Sequence, residues 1–217
     1  MKKNLFKILA VFGLAVFMIS CSKDKDKSSE DNQAHTQADG VPYTLDLANS
    51  KLEWKGYKVV KTDQTTHFGT INFKDGLLTV KDGKLQSGKF IADVNSLKNV
   101  DLEGNKEMKT KLEEHLKSAD FFDVKKFPTA SYEITKITEA PKGDYNTLLD
   151  GNLTIKGITK PIQFKANVIA ENATVIIATE PTEINRKDFG LNFEMPLENG
   201  ILNNNITLQV SIKAHKR

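Results

Sequence analysis

The sequence has little of several residue types on which particular functions depend. Its single cysteine excludes an internal disulfide. Cysteine and the four histidines form none of the metal-binding patterns HxH, HExxH or CxxC, and neither a nucleophile elbow nor a phosphate loop is present. The 31 basic residues face 28 acidic ones, so the basic excess of a nucleic-acid-binding protein is missing. We therefore expect no catalytic residues, no metal, no cofactor and no nucleic-acid partner.

Long apolar runs are also scarce, and the clearest one covers Ile8 to Ile19, interrupted by Gly13. Lys2, Lys3 and Lys7 place positive charge before and at the start of this run. An apolar run of this length is short for a membrane span, and its flanks are those of a secretory signal. We expect residues 1–20 to be a cleaved signal peptide, and the alternative is a short anchor that is never cleaved.

The lone cysteine, Cys21, follows Ser20 at the end of the apolar run. This junction resembles the lipobox of bacterial lipoproteins, although Met18 stands where that family usually has leucine. The resemblance implies that Cys21 is lipidated, with acyl chains such as palmitate, and becomes the mature N-terminus. Two or more acyl chains give stable membrane anchoring. By resemblance to lipoprotein sorting in Gram-negative bacteria, Ser22 favours the outer membrane, with the protein facing the periplasm. Removal of residues 1–20 takes away three lysines and no acidic residue, leaving 28 of each charge.

A polar segment follows the cysteine, reading SKDKDKSSEDNQAHTQADGV over residues 22–41. It has no aromatic residue and almost no apolar side chain, so it cannot bury enough surface to offset its ordering entropy. We expect residues 21–41 to form a disordered tether spanning roughly 24 Å. Residues 42–217 then make one folded domain.

Alternation of apolar and polar residues dominates the folded domain. Ile206 to Ala214 is the clearest case, and Ile162 to Val168 repeats it. Asp75–Gly76, Asp82–Gly83 and Lys156–Gly157 supply turn signals. The pattern predicts about eight strands, near residues 43–59, 65–80, 83–96, 129–140, 145–156, 160–170, 173–185 and 204–215.

One segment breaks the β pattern. Met108, Leu112 and Leu116 lie at helical spacing within Lys106–Lys117, which predicts a short amphipathic helix between the third and fourth strands. Eight long strands can bury their apolar faces in a filled sandwich or in a closed barrel with room for a ligand. Alternation alone does not separate these two.

Four segments, taken together and in order, resemble the YceI-like family of bacterial lipocalin-like proteins. They are His67–Gly69 with Ile71 and Phe73 following, His115–Pro128, Gly151–Pro161 and Ile184–Gly190. The resemblance covers roughly residues 43–215. It implies an all-β fold, an eight-stranded antiparallel lipocalin-like barrel around an apolar cavity. Members are secreted or periplasmic, and some bind polyisoprenoid chains or isoprenoid quinones. The implied partner is therefore an apolar lipid ligand, such as a polyprenyl lipid or an isoprenoid quinone.

A lining of aliphatic and aromatic side chains is enough to hold an isoprenoid tail. The candidate ligand-binding residues are Trp54, His67, Ile71, Phe73, Phe90, Val94, Leu116, Phe121, Phe122, Phe164, Arg186 and Phe189. The plain alternative is that the aromatic residues only fill a core. The family resemblance favours an inward, lining role for Phe73, Phe90 and Phe164, whereas Phe121 and Phe122 could instead seal one end.

The polar candidates have structural alternatives as well. His67 could hydrogen-bond a ligand head group or a neighbouring strand. Arg186 could pair with a ligand oxygen or with Asp188 or Asp123. Asp120 and Asp123 could do acid-base work, but a turn capped by these side chains is favoured.

Three functions remain open from the sequence. The first is a membrane-tethered lipid-binding protein. The second is an enzyme acting on an apolar substrate, with His67 or the Asp120 and Asp123 pair as its base. The third is a structural or partner-binding envelope lipoprotein whose interior is a filled core.

Overall fold

The computed structural model describes residues 39–140, 143–195 and 200–217. The predicted signal peptide (1–20), the predicted lipidation of Cys21 and residues 22–38 of the predicted tether lie outside the described residues. The first described strand begins at Val41, next to the predicted domain boundary at residue 42.

The described residues form mainly β-structure. The strands are β1 (Val41–Leu45), β2 (Lys51–Val60), β3 (Asp63–Lys81), β4 (Lys84–Asp93), β5 (Lys98–Asn99), β6 (Thr129–Glu139), β7 (Thr147–Ile155), β8 (Ile158–Glu171), β9 (Thr174–Thr179), β10 (Thr182–Asn185) and β11 (Gly200–Lys216). The single α-helix among these residues is α1 (Lys106–Lys117), between β5 and β6. Short 3-10 turns cover Leu47–Asn49, Val94–Ser96 and Arg186–Phe189.

Eight antiparallel strands pair into a closed ring. β2, β3, β4, β6, β7, β8 and β9 follow one another around it, and β11 pairs with both β9 and β2 to close it. The predicted antiparallel all-β fold, with eight strands and one short helix after the third, is confirmed. Closure leaves the eight strands without an unpaired edge, which removes a site of edge-to-edge association.

Two of the predicted strands are each broken in the structure. The strand expected over 43–59 is split into β1 and β2 by the turn Leu47–Asn49, which the carboxylate of Asp46 caps by accepting from the Asn49 N–H at 3.2 Å. Both pieces lie between β3 and β11, so they share one position in the ring. The strand expected over 173–185 is split into β9 and β10 around Pro181, which has no N–H to donate.

The helix α1 has the predicted bounds. Its first turn is capped by Asn105, whose side chain accepts from the Met108 N–H at 3.1 Å. Leu116 is buried and Leu112 packs against the core, while Met108 is 48% exposed. The apolar side chains that pack against the ring therefore come from the C-terminal half of α1.

The turn predictions are partly right. Asp82–Gly83 and Lys156–Gly157 form two-residue hairpin turns in which both residues have positive φ. The expectation of a turn at Asp75–Gly76 is wrong, because β3 continues through it with a bulge between Phe73 and Asp75. Glycine is required there by packing, since a Cβ on Gly76 would lie 2.9 Å from the side chain of Leu45.

One end of the ring is filled by side chains, and we call it the packed end. Its residues are Tyr43, Leu45, Leu78, Val80, Val175 and Ala214, each no more than 6% exposed. The strand β1 lies across this end, pairing with β3 on one side and with β11 on the other. Within the described ranges, no helix has both the length and the apolar content needed to cross a bilayer.

Candidate ligand-binding site

A cavity of about 370 Å³ lies at the opposite end of the ring, which we call the hollow end. This volume falls within the ~300–1,000 Å³ typical of small-molecule sites. The walls are mostly apolar and come from β2, β3, β6, β7, β11, α1 and the segments that follow β4, α1 and β10. The lining consists of Leu52, Trp54, Gly56, Tyr57, Lys58, His67, Ile71, Val94, Leu97, Leu112, His115, Leu116, Phe121, Phe122, Ala130, Leu153, Ile155, Arg186, Phe193, Met195, Leu202, Asn203, Ile206 and Leu208.

A second, smaller cavity of about 60 Å³ lies further toward the packed end. Leu52, Ala130, Leu153 and Leu208 line both cavities, so the two spaces adjoin. Together they form an apolar interior that runs along the ring axis.

The structure brings most of the predicted site residues to these cavities. Trp54, His67, Ile71, Val94, Leu116, Phe121, Phe122 and Arg186 line the larger one, and Phe73, Phe90 and Phe164 line the smaller one. Phe189 lines neither, because the turn Arg186–Phe189 buries its ring in the core at 1% exposure. Contact of these residues with a ligand stays a prediction.

Several lining residues were not singled out from the sequence. Ile206 and Leu208 alternate with polar residues on β11, and that alternation was a usable signal. Phe193 and Met195 belong to an irregular segment after β10, where no periodicity exists to mark them. Phe193 packs against His115 of α1 with ring centroids 4.4 Å apart, which places this segment against the helix.

The guanidinium of Arg186 is fully buried and is hydrogen-bonded to the backbone. Its Nε donates to the carbonyl of Asn203 at 3.1 Å, and its two terminal nitrogens donate to the carbonyls of Leu191 and Leu202. Burial lowers the pKa of Arg186, and the carboxylate of Glu194, 3.8 Å away, opposes this effect. The predicted pairing with Asp188 or Asp123 is wrong, because the carbonyls of Leu191, Leu202 and Asn203 accept the hydrogen bonds of the guanidinium.

The imidazole of His67 is hydrogen-bonded within the protein and also borders the cavity, and a hydrogen bond to a ligand head group stays a prediction. Its Nδ1 lies 2.8 Å from the Oδ2 of Asp101, and its ring lines the cavity. The other oxygen of Asp101 accepts from the Phe68 N–H at 2.8 Å and from the side-chain amide of Asn99. Burial opposes ionisation of Asp101, but these hydrogen bonds outweigh it and lower its pKa.

Close approach of β5 explains the glycine after Phe68. A Cβ on Gly69 would lie 1.8 Å from the carbonyl oxygen of Lys98 and 2.9 Å from the ring of Trp54. The backbone of β5 therefore leaves no room for a side chain at position 69. The Nε1 of Trp54 is the one buried side-chain N or O atom without a hydrogen-bond partner in the described part of the chain.

The acid pair does not line the cavity. Asp120 is exposed and takes part in the turn after α1, and Asp123 has a φ of 49° and donates its N–H to the carbonyl of Ser118 at 2.7 Å. Both residues lie in a turn, as the sequence favoured, but their backbone N–H groups make its hydrogen bonds to Ser118 and their carboxylates do not cap it. Within residues 39–140, 143–195 and 200–217, no three His, Cys, Asp or Glu side chains come together to hold a metal ion.

Tyr132 closes the wall of the smaller cavity. Its hydroxyl donates to the carbonyls of Leu149 at 2.7 Å and Ile162 at 3.1 Å, and its ring packs edge-on against Phe164. Burial raises the pKa of Tyr132, and the nearby charge of Asp150 adds to this effect. The hydroxyl is therefore neutral and satisfied by the backbone, which leaves this cavity apolar.

Comparison with known proteins identifies relatives over most of the chain. A UPF0312 protein of Shewanella denitrificans is 26% identical over 191 residues, covering 82% of this chain and 92% of the relative. A UPF0312 protein of Pseudomonas putida is 31% identical over 173 residues, covering 71% of this chain and 79% of the relative.

Solved structures share the fold at lower identity. BcnA of Burkholderia cenocepacia superposes with a TM-score of 0.58 at 21% identity, covering 78% of this chain and 98% of BcnA. A polyisoprenoid-binding domain from Saccharophagus degradans gives a TM-score of 0.52 at 13% identity, covering 82% of this chain and 99% of that domain. The model of the YceI-like domain matches residues 43–214, and this chain therefore belongs to the YceI-like family.

Proposed function

We propose that this protein binds an apolar isoprenoid-type lipid or quinone in the cavity at the hollow end. The observation that carries the proposal is the apolar space of about 370 Å³, which adjoins the smaller cavity along the ring axis. Burial of a hydrocarbon chain contributes about 25 cal/mol for each Å² removed from water. A YceI-like fold shared with a polyisoprenoid-binding domain supports the same ligand class.

The filled-core alternative is not favoured, because the side chains at the hollow end do not meet across it. The enzyme alternative is not favoured either. Of its three candidate bases only His67 lines the cavity, and Asp120 and Asp123 lie in the turn after α1 instead.

The proposal includes the cell envelope as the site of action. The signal-like residues 1–20 and the lipobox-like residues before Cys21 support export and lipidation. Acylation is tested by metabolic labelling with a palmitate analogue, followed by membrane fractionation. We expect the label on the wild-type protein, and we expect Cys21→Ser to abolish the label and release the protein into the soluble fraction.

Ligand binding is tested by mass spectrometry of organic extracts from the purified protein. A prenyl lipid or quinone should be recovered from the wild type in near-stoichiometric amount. In Ala130→Phe, the new ring would enter the space shared by the two cavities, and recovery should fall sharply. Ala178→Phe is the matched control, because Ala178 is exposed on β9 and faces away from the interior. Equal recovery from both variants would refute cavity binding.

A further inference from the structure

The imidazole of His67 is held in one orientation by groups behind it. Asp101 accepts a hydrogen bond at Oδ2 from Nδ1, and an ionised carboxylate can only accept. The proton of the neutral ring is therefore on Nδ1, which leaves the lone pair on Nε2. Hydrogen bonds to Asp101 from Phe68 and Asn99 keep the carboxylate in place.

The support extends into the helix. Asn99 is fully buried, its backbone N–H donates to Glu113 of α1 at 2.8 Å, and its side-chain oxygen accepts from Leu102 at 2.9 Å. The strand β3, the strand β5 and α1 thus fix the ring of His67 jointly. These contacts hold Asp101, and through it the ring of His67, in a fixed position, as a binding group requires.

The second nitrogen of His67 is accessible and lacks a partner. No described residue forms a hydrogen bond with Nε2, and Nε2 is not among the buried atoms without a partner. It is therefore accessible to a ligand. The residue His67 lines the cavity and Asp101 engages only its Nδ1, so Nε2 is the ring nitrogen left for a ligand.

The cavity offers little to a charged head group. The cations in its lining are Lys58 and Arg186, and the backbone carbonyls occupy the guanidinium of Arg186. A phosphate or carboxylate beside His67 would receive no hydrogen bond from the unprotonated Nε2 and would depend on Lys58 alone to compensate its buried charge, which is costly. An uncharged head group does not meet this penalty.

We propose that His67 is a head-group subsite, in which Nε2 accepts a hydrogen bond from the hydroxyl or amide N–H of an uncharged lipid. This inference rests on the proposed function and narrows it to neutral amphiphiles that carry a hydrogen-bond donor. Asp101 is the positioning residue of this subsite.

The test compares farnesol with its methyl ether, which has the same chain but cannot donate. Binding is measured by calorimetry. We expect the wild type to prefer farnesol by about two- to tenfold, the range of one net hydrogen bond. His67→Leu should abolish this preference while binding the ether as the wild type does, so the ether reports an intact cavity.

Two further variants test whether the preference for farnesol depends on His67 and its hydrogen bond to Asp101. Asp101→Asn, which removes the carboxylate that fixes the tautomer, should reduce the preference even if His67→Leu fails to fold. His215→Leu is the matched control, because His215 is half exposed near the packed end, and it should leave the preference unchanged.

The outcomes separate this inference from the proposed function. If the wild type binds neither ligand, both proposals fail. If it binds both equally, or if the preference survives in His67→Leu, only the subsite is wrong. Farnesyl phosphate is the third ligand, and tighter binding than farnesol that depends on His67 would assign an anion site instead.

Discussion

The two ends of the ring are built from strands with the same alternation of apolar and polar side chains, but different interactions stabilise them. At the packed end, β1 pairs with β3 and β11, and its residues Tyr43 and Leu45 pack into a filled core. At the hollow end, α1 and the segment that follows β10 line the cavity without filling it. Hydrogen bonds stabilise this end in place of a filled core. Arg186 donates to three backbone carbonyls, and Asp101 links His67 to the loop before α1. A binding cavity is stabilised by polar contacts in its walls.

The largest effect should come from removing the guanidinium at the hollow end. Arg186→Met keeps much of the side-chain volume but removes the donor from the buried carbonyl of Leu191 and from the partly buried carbonyls of Leu202 and Asn203. An unsatisfied buried acceptor costs about 1–3 kcal/mol and a partly buried one less, so the free energy of unfolding should fall by about 3 kcal/mol. Urea denaturation measures this change, and a loss below about 1 kcal/mol would mean that Arg186 does not hold this end together.

A pair of leucines compares the two ends directly. Leu78→Ala opens a void in the packed end, where Leu78 is 0% exposed, and should cost about 2–5 kcal/mol. Leu202→Ala removes a side chain that already borders the cavity, so its cost should be nearer about 1 kcal/mol. Thermal and urea unfolding of both variants provide the comparison. Equal costs would mean that the hollow end is as tightly packed as the other.

The next effect concerns the contact between β3 and β5. Gly69→Ala would place its methyl group 1.8 Å from the Lys98 carbonyl, and the forced displacement should cost about 1–3 kcal/mol. Hydrogen exchange of the Val100 N–H, which donates to the Phe68 carbonyl at 3.0 Å, should become faster. Gly56→Ala on β2 is the control, since nothing lies within 4 Å of its Cβ, and it should be nearly neutral.

The smallest effect should be a pH dependence from Asp101. Its pKa in the folded protein is below the ordinary value of 3.8, so its contribution to stability is present above that value and disappears as the pH falls through the folded pKa. The difference in unfolding free energy between wild type and Asp101→Asn should therefore shrink below about pH 4. Urea denaturation at a series of pH values measures it. A difference that stays constant down to about pH 2 would mean that ionisation of Asp101 does not contribute to stability.

The sequence predicted the repeating parts of this molecule better than the irregular ones. Ile206 and Leu208 face inward because strand geometry alternates side chains, and the family resemblance supplied the ring closure that alternation alone does not give. Asp75–Gly76 was taken for a turn because a bulge and a turn share the same residues, and only the packing of Leu45 on Gly76 separates them. The partners of Arg186 were missed because backbone carbonyls carry no sequence signature. Phe193 lies in a segment without period, so only tertiary structure assigns it to the cavity.

The central claim is that the hollow end admits an apolar chain, and Trp54 reports on it directly. This residue is the only tryptophan in the protein, and it lines the larger cavity. Its fluorescence is titrated with a brominated long-chain lipid, because bromine quenches only at close range, and with the unbrominated lipid for comparison. We predict saturable quenching by the brominated lipid in the wild type and in Ala178→Phe, and its loss in Ala130→Phe. Absence of quenching in the wild type, or equal quenching in Ala130→Phe, would contradict the account.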